Sequence, residues 1–218
     1  MSTDRDDSSP GAAGSHPAPD EGPATPAIDG RTARRDRNRD AVLDAVIELF
    51  SEGMLLPAAI DVAERSGVSQ RSVFRYFEDT EGLARAAIRR HIEVVGPLFE
   101  LPDAAVGSLE DRIERLVSAR LRLWEAVAPV ARAALVRAPA APLIAAQLDT
   151  TRRRLRAQVD EVFADEAAAC EPGEARALLT AAELLCSYDS IDHLRGHHGL
   201  SVAQTRDVLV RALTRLLR

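Results

Sequence analysis

The chain has 218 residues, of which 46% are apolar and 4% aromatic, and its formal net charge at pH 7 is −6. After the first 30 residues the longest uncharged stretch is Ala138–Leu148, whereas a membrane-spanning helix needs about 20 apolar residues. The composition therefore excludes an integral membrane protein. Abundant alanine with few aromatic residues favours an all-α fold.

The negative charge is concentrated at the N-terminus. Residues 1–30 carry six acidic residues against Arg5, whereas residues 31–77 carry eight arginines against seven acidic residues. The overall charge therefore does not argue against a nucleic-acid partner. Residues 1–30 are rich in Ser, Pro, Gly, Ala and Asp and have no apolar periodicity, so we expect a disordered acidic tail.

The N-terminus lacks the charged and then apolar pattern of a signal peptide. Cys170 and Cys186 show neither CxxC nor zinc-type spacing, which favours buried thiols in a reducing cytoplasm. A redox-sensing cysteine pair is the alternative interpretation. We expect a cytoplasmic protein.

Four helices are predicted after the tail. A basic run, RTARRDRNR at residues 31–39, leads into the first of them. The first shows apolar residues at helical spacing and the fourth has a capping residue, Asp79 or Thr80. These helices cover residues 40–50, 57–66, 69–77 and 80–95.

Five more helices are predicted in the rest of the chain. Ser108 with Asp111 and Ser201 with Gln204 have the spacing of capping boxes, and prolines are expected to separate the helices. The ranges are 108–127, 129–139, 142–163, 172–195 and 201–217.

The segment IDVAERSGVSQRSVFRYF, residues 60–77, carries the most specific signal. Two closely crossing helices need a small residue at their contact, which Ala63 supplies. The tight turn needs a positive φ, which Gly67 adopts cheaply. Val73 then locks the second helix onto the first. This spacing, with a third helix upstream, predicts a helix-turn-helix.

Residues 37–83 resemble the DNA-binding domain of the TetR family of bacterial transcriptional regulators, and GVSQRSVFRYFEDTEGL, residues 67–83, matches the usual pattern of that family. LRGHHGLS, before the last helix, is similar to the ends of many members. The resemblance implies a DNA-binding domain at residues 31–83, with a basic arm at 31–39, and a helical regulatory and dimerisation domain at 84–218. It also implies a homodimer on palindromic double-stranded DNA, and a repressor released by a small-molecule effector.

The resemblance puts the helix at residues 69–77 in the major groove, where arginine suits a guanine edge and glutamine an adenine edge. The expected DNA contacts are Ser69, Gln70, Arg71, Ser72, Arg75 and Tyr76, with Arg35 and Arg37 from the basic arm. Phe74, Thr80 and Pro57-Ala58 replace residues with which the family often holds phosphate. The basic arm could compensate, although a solvated helix start is the alternative.

Apolar residues in the C-terminal half suggest a ligand cavity and a dimer interface. The cavity candidates are Phe99, Val117, Leu121, Trp124, Leu148 and Tyr188. The interface candidates are Leu178, Leu185, Val202, Leu209, Leu213 and Leu216. Packing in the protein's own core is the alternative for both sets. No metal or cofactor is expected, because Gly196 separates His193 from His197 and His198.

Two other classes of protein compete with this interpretation. No GxSxG, HExxH, phosphate-binding glycine loop or dinucleotide fingerprint occurs in the sequence, which argues against an enzyme. A helical protein-interaction module would not need the basic residues Arg71 and Arg75. We therefore predict a regulator.

Overall fold

The structure, a computed structural model, describes residues 30–218, and these form ten α-helices without a β-strand among them. A turn of 3-10 helix, Gly96–Phe99, lies between α4 and α5. The predicted all-α class is confirmed. Of the predicted disordered tail, residues 1–30, all but Gly30 lie outside the described part, and Gly30 is the first residue of α1. The helices are α1 (Gly30–Ser51), α2 (Ala59–Ser66), α3 (Gln70–Tyr76), α4 (Thr80–Val94), α5 (Leu109–Arg137), α6 (Pro142–Val162), α7 (Ala164–Ala168), α8 (Pro172–Leu185), α9 (Tyr188–Gly196) and α10 (Val202–Leu216).

Helix α1 begins ten residues earlier than predicted, at Gly30, and so includes the basic run. Residues 31–39 contain no proline or glycine, and arginine and alanine are good helix formers. The C-terminal half of α1 buries Val42, Val46 and Phe50 on one face. The core therefore anchors α1, and its first turns extend this helix into solvent.

Helix α5 continues through Pro129, so the predicted break at this proline was wrong. Proline lacks the N–H of the helical ladder and crowds the preceding turn. Two carbonyl groups close to it accept side-chain hydrogen bonds: that of Ala126 from His91 (2.9 Å) and that of Ala128 from Tyr188 (3.2 Å). Tertiary hydrogen bonds to the turn that precedes Pro129 thus help to offset its cost.

The predicted helix at residues 172–195 is two helices, because the chain turns at Cys186 and Ser187. The Ser187 hydroxyl caps α9 by accepting a hydrogen bond from the Ser190 N–H at 3.1 Å. Helix α7 was not predicted. Both predicted capping boxes, at Ser108 and Ser201, are confirmed.

Two main clusters of buried side chains hold the helices together. The first joins α1 to α4 and also takes in Ala133 and Ala134 of α5. The second contains residues from the N-terminal half of α5, and it includes Leu116, Phe163 and Leu213. Helices α4 and α5 therefore connect the N-terminal helices to the rest of the molecule.

Candidate nucleic-acid interface and ligand cavity

Helices α2 and α3 form the predicted helix-turn-helix. Gly67 ends α2 with φ +68°, a left-handed conformation that glycine adopts without strain. Val62 and Val73 are almost completely buried, and Ala63 packs against the same core. The spacing of these residues in the sequence thus follows from the close crossing of the two helices.

The outer surface of α3 is polar and exposed. Ser69 caps this helix by accepting a hydrogen bond from the Ser72 N–H at 3.4 Å. Gln70, Arg71 and Arg75 are exposed, and so is the ring of Phe74. Within residues 30–218, Arg71 makes no ion pair and no side-chain hydrogen bond, so its guanidinium is free to meet a partner.

Arg75 is held across the end of α3. Its guanidinium donates hydrogen bonds to Ser72 Oγ (3.3 Å) and to the Tyr76 hydroxyl (3.4 Å). The bond from Arg75 is the main reason why the pKa of Tyr76 is lowered, and Asn38 and Arg35 of α1 act in the same direction. Ser72 and Tyr76 are half-buried. Both side chains therefore hold Arg75 in place and remain partly accessible to solvent.

The basic run presents part of its charge to solvent from a helix. Arg34, Arg35 and Arg37 are exposed, whereas Arg39 lies over the ring of Phe77, 5.5 Å from its centre. Residues 31–39 therefore form the start of a helix, which was the alternative to a basic arm. The contact of Arg39 with Phe77, the residue directly after α3, places this helix start beside α3.

Other arginines of the N-terminal helices are neutralised. Arg65 pairs with Glu52 at 2.7 Å and with Glu48 at 3.4 Å, joining α2 to α1. Arg90 pairs with two aspartates of α1 at 3.0 and 2.9 Å. Within the part of the chain that the structure describes, the arginines of α3 have no such carboxylate partner, and Arg85 of α4 has none either.

A cavity of about 350 Å³ lies between α4, α5, α6, α8 and α9. Four predicted residues line it: Phe99, Trp124, Leu148 and Tyr188. The prediction was wrong for Val117 and Leu121, which are buried in the second core cluster. The cavity face of α5 instead carries residues 120, 123, 124 and 127. Periodicity identified the helix but could not separate its two buried faces.

Several polar groups border this cavity. His91 and Tyr188 line it and are hydrogen-bonded to the carbonyls of α5 beside Pro129. Cys186 also lines it, and burial raises the pKa of this thiol to about 11, which keeps it protonated and unreactive. Cys170 and Cys186 are both free thiols. Sequence reasoning missed Arg120, a buried arginine of the cavity wall.

Two of the predicted dimer residues are inaccessible. Leu209 is 1% exposed and Leu213 0% exposed, because both pack into the second core of their own chain. Their assignment to a dimer contact was therefore wrong. Four others are half-buried against that same core: Leu178, Leu185, Val202 and Leu216. The large apolar side chains that α8 and α10 expose are Leu184 (65%) and Val208 (43%).

The cavity and the helix-turn-helix share structural elements. Ile88, His91 and Ile92 of α4 line the cavity, and the preceding turns of α4 pack in the N-terminal core. Arg137, at the end of α5, donates a hydrogen bond to the Leu55 carbonyl before α2 and lies 5.2 Å from the centre of the Phe50 ring. A movement of α4 or α5 would therefore also displace residues that pack around α2.

Three histidines lie close together at the end of α9. The rings of His197 and His198 lie 4.9 and 5.0 Å from that of His193. Nevertheless, residues 30–218 contain no group of three or more His, Cys, Asp or Glu arranged to hold a metal ion. None of the described helices is long and apolar enough to cross a membrane.

Several solved structures share this architecture. A TetR-family transcriptional regulator from Streptomyces coelicolor is 20% identical, with a TM-score of 0.62 over 83% of this chain and 80% of its own. A protein described as a transcriptional regulator from Saccharomonospora viridis, in complex with choline, is 17% identical, with a TM-score of 0.63 over 84% of this chain and 96% of its own. LfrR, a TetR-like regulator from Mycobacterium smegmatis in complex with proflavine, is 22% identical, with a TM-score of 0.51 over 83% of this chain and 96% of its own.

These similarities show that the chain has the fold of TetR-type regulators. No protein-family model and no curated protein matches the sequence.

Proposed function

We propose that this chain is a TetR-type transcriptional regulator that binds DNA through the helix-turn-helix of α2 and α3. The observation that carries the proposal is the contrast within this motif. Val73 fixes α3 to the core, while Gln70 and Arg71 in the first turn of α3 are exposed, and Arg71 has no ion-pair partner within residues 30–218. Arginine and glutamine at these positions suit base edges in a major groove.

The proposed DNA-binding unit is residues 31–83, and the proposed regulatory unit is residues 84–218. Helix α4 crosses this boundary, and α5 reaches the first unit through Arg137. Choline and proflavine occur in complexes of two proteins with this fold. In this proposal, a small molecule that binds in the cavity shifts α4 or α5, and this shift releases the repressor from its operator.

We also propose that the regulator acts as a homodimer. One short recognition helix contacts too few bases to select a single site, whereas two copies related by a two-fold axis read two half-sites. The exposed apolar side chains Leu184 of α8 and Val208 of α10 support pairing through these helices. Leu209 and Leu213 are excluded from the contact by their burial.

A gel-shift assay with the DNA that flanks the protein's own gene tests the regulator proposal. We expect a shifted band that survives excess nonspecific competitor DNA. The Arg71→Ala variant should lose this band, whereas Arg122→Ala, which removes an exposed arginine from α5, should retain it. A wild-type protein that binds no DNA under these conditions would favour an enzyme or a protein-interaction module.

A further inference from the structure

Three arginines of α5 are buried, and they differ in their partners. Arg112 is 6% exposed and has the Glu166 carboxylate at 2.6 Å; Arg137 is 7% exposed and has Glu81 at 3.6 Å. Arg120 is only 4% exposed and lines the cavity. Among residues 30–218, no carboxylate lies within ion-pair distance of Arg120. The buried arginine at the cavity is therefore the one without a counter-charge.

The hydrogen bonds of Arg120 leave its charge uncompensated. It donates to the side-chain oxygen of Gln158 at 2.7 Å and to the Leu155 carbonyl at 2.9 Å, both neutral acceptors. A guanidinium has five N–H groups, so three remain. Burial lowers the pKa of Arg120, but an arginine side chain stays protonated in proteins. A buried charge without an opposite charge is costly unless a partner is supplied.

The other charged groups of the cavity wall do not fill this role. Glu183 is paired with Arg156 at 3.2 Å, and Arg152 and Asp189 are exposed at the rim. The Cys186 thiol stays protonated, because burial raises its pKa to about 11. A counter-charge for Arg120 therefore has to come from outside the described chain.

Trp124 provides a second observation at the same wall. It lies one helical turn after Arg120 on α5, on the same face, and it also lines the cavity. Its indole N–H is buried without a hydrogen-bond partner in the described structure. The Trp124 N–H thus lacks an acceptor, and Arg120 beside it lacks a counter-charge. Much of the surrounding wall is apolar, with Leu123, Val127 and Leu148.

We propose that this cavity binds an apolar molecule that carries one anionic group, with the anion against Arg120 and Trp124 and the apolar body along α5 and α6. A carboxylate is the simplest such anion. A volume of about 350 Å³ is at the small end of the range for ligand sites, about 300–1,000 Å³. This inference rests on the proposed function only in assigning the bound molecule the role of effector.

The single tryptophan makes the test specific, because Trp124 is the only one in the chain and its fluorescence reports on this cavity. The wild-type protein is titrated with decanoate and decyltrimethylammonium, each below its micellar concentration, and with 1-decanol below its solubility limit. The three probes share one apolar chain and differ in the charge of the head group. We expect decanoate to bind about tenfold or more tightly than either of the others.

The matched variants are Arg120→Met and Arg122→Met. Arg120→Met should bind decanoate no better than decanol, whereas Arg122→Met, which removes an exposed arginine from the same helix, should keep the wild-type preference. If Arg120→Met fails to fold by circular dichroism, the wild-type series alone decides. Equal or weaker binding of decanoate, or no fluorescence change with any probe, would overturn the proposal.

The titration contains no DNA, so its outcome is separate from that of the gel shift. A decanoate preference without DNA binding would refute the regulator proposal and leave the anion site standing. DNA binding without a head-group preference would refute the anion site and leave the regulator proposal standing.

Discussion

Arginines on the N-terminal helices differ in whether a carboxylate lies beside them. Arg65 and Arg90 are bound to acidic residues in α1 or directly after it, whereas Arg71 on α3 has no such partner within residues 30–218. The sequence shows the basic residues of this region but not their pairing, because the acidic partners lie 13 to 50 positions away along the chain. The exposure of Arg71 could be predicted because the helix-turn-helix spacing fixes which face of α3 is outside.

Replacing Arg71 by alanine tests its role as a base reader. A bidentate arginine–guanine contact contributes about 1–3 kcal/mol, so Arg71→Ala should weaken binding to a site selected by the wild-type protein by this amount. It should also relax the preference at one base position in each half-site. Quantitative gel shifts with single-base variants of that site measure both effects. Unchanged affinity would exclude Arg71 as a reader.

Helices whose ends are marked by local chemistry were predicted closely, and those whose ends depend on tertiary contacts were not. The capping boxes at Ser108 and Ser201 mark their helix starts within one residue. Pro129 suggested a break, but distant side chains, His91 and Tyr188, bond to the carbonyls beside it. Ser187 is a capping residue that an otherwise continuous apolar pattern concealed. Sequence signals thus predict local ends well and long-range compensation poorly.

The first turns of α1 make an electrostatic prediction at the scale of one element. If Arg35 and Arg37 contact phosphate, replacing both by alanine removes two contacts without disturbing the helix, because alanine has a high helix propensity. Because the proposed dimer loses these two contacts in each of its two chains, the slope of log K against log salt concentration should then decrease by about 4. Fluorescence-anisotropy titrations at several salt concentrations measure this slope. An unchanged slope would show that the helix start is only solvated.

The sequence correctly predicted that the apolar stripes on α8 and α10 are buried. It did not predict that the core of the same chain buries them. Periodicity reports that one face of a helix avoids water, and it cannot distinguish a partner chain from the chain's own core. The second core takes Leu209 and Leu213 completely, which leaves Leu184 and Val208 outside. The same limit applies to Val117 and Leu121, which were assigned to the cavity.

The proposed dimer is tested by placing a charge on its outer face. Val208→Asp would bury an unpaired carboxylate in each of two copies, so the dimer dissociation constant should rise by about tenfold or more. Val94→Asp is the matched control, because Val94 is exposed at the end of α4. Sedimentation equilibrium compares the two variants. If both remain dimeric over the same range of concentration, Val208 does not lie in the interface.

In contrast to Val208→Asp, the Leu213→Ala variant should lose folding stability and keep its ability to dimerise. Leu213 is 0% exposed, and removing a buried leucine side chain costs about 2–5 kcal/mol of folding stability. Urea unfolding followed by circular dichroism should show this loss, with no specific change in the mass of the folded protein. A Leu213→Ala variant of wild-type stability would contradict the assignment of this residue to the core.

The central claim is that two copies of this chain read DNA through α3. The most direct measurement is the mass of the complex between the wild-type protein and a duplex selected from random DNA, together with its footprint. We predict two chains per duplex and two protected half-sites, related by symmetry, with centres about 10 base pairs apart. One chain on a single half-site, or protection without any preferred sequence, would contradict the account.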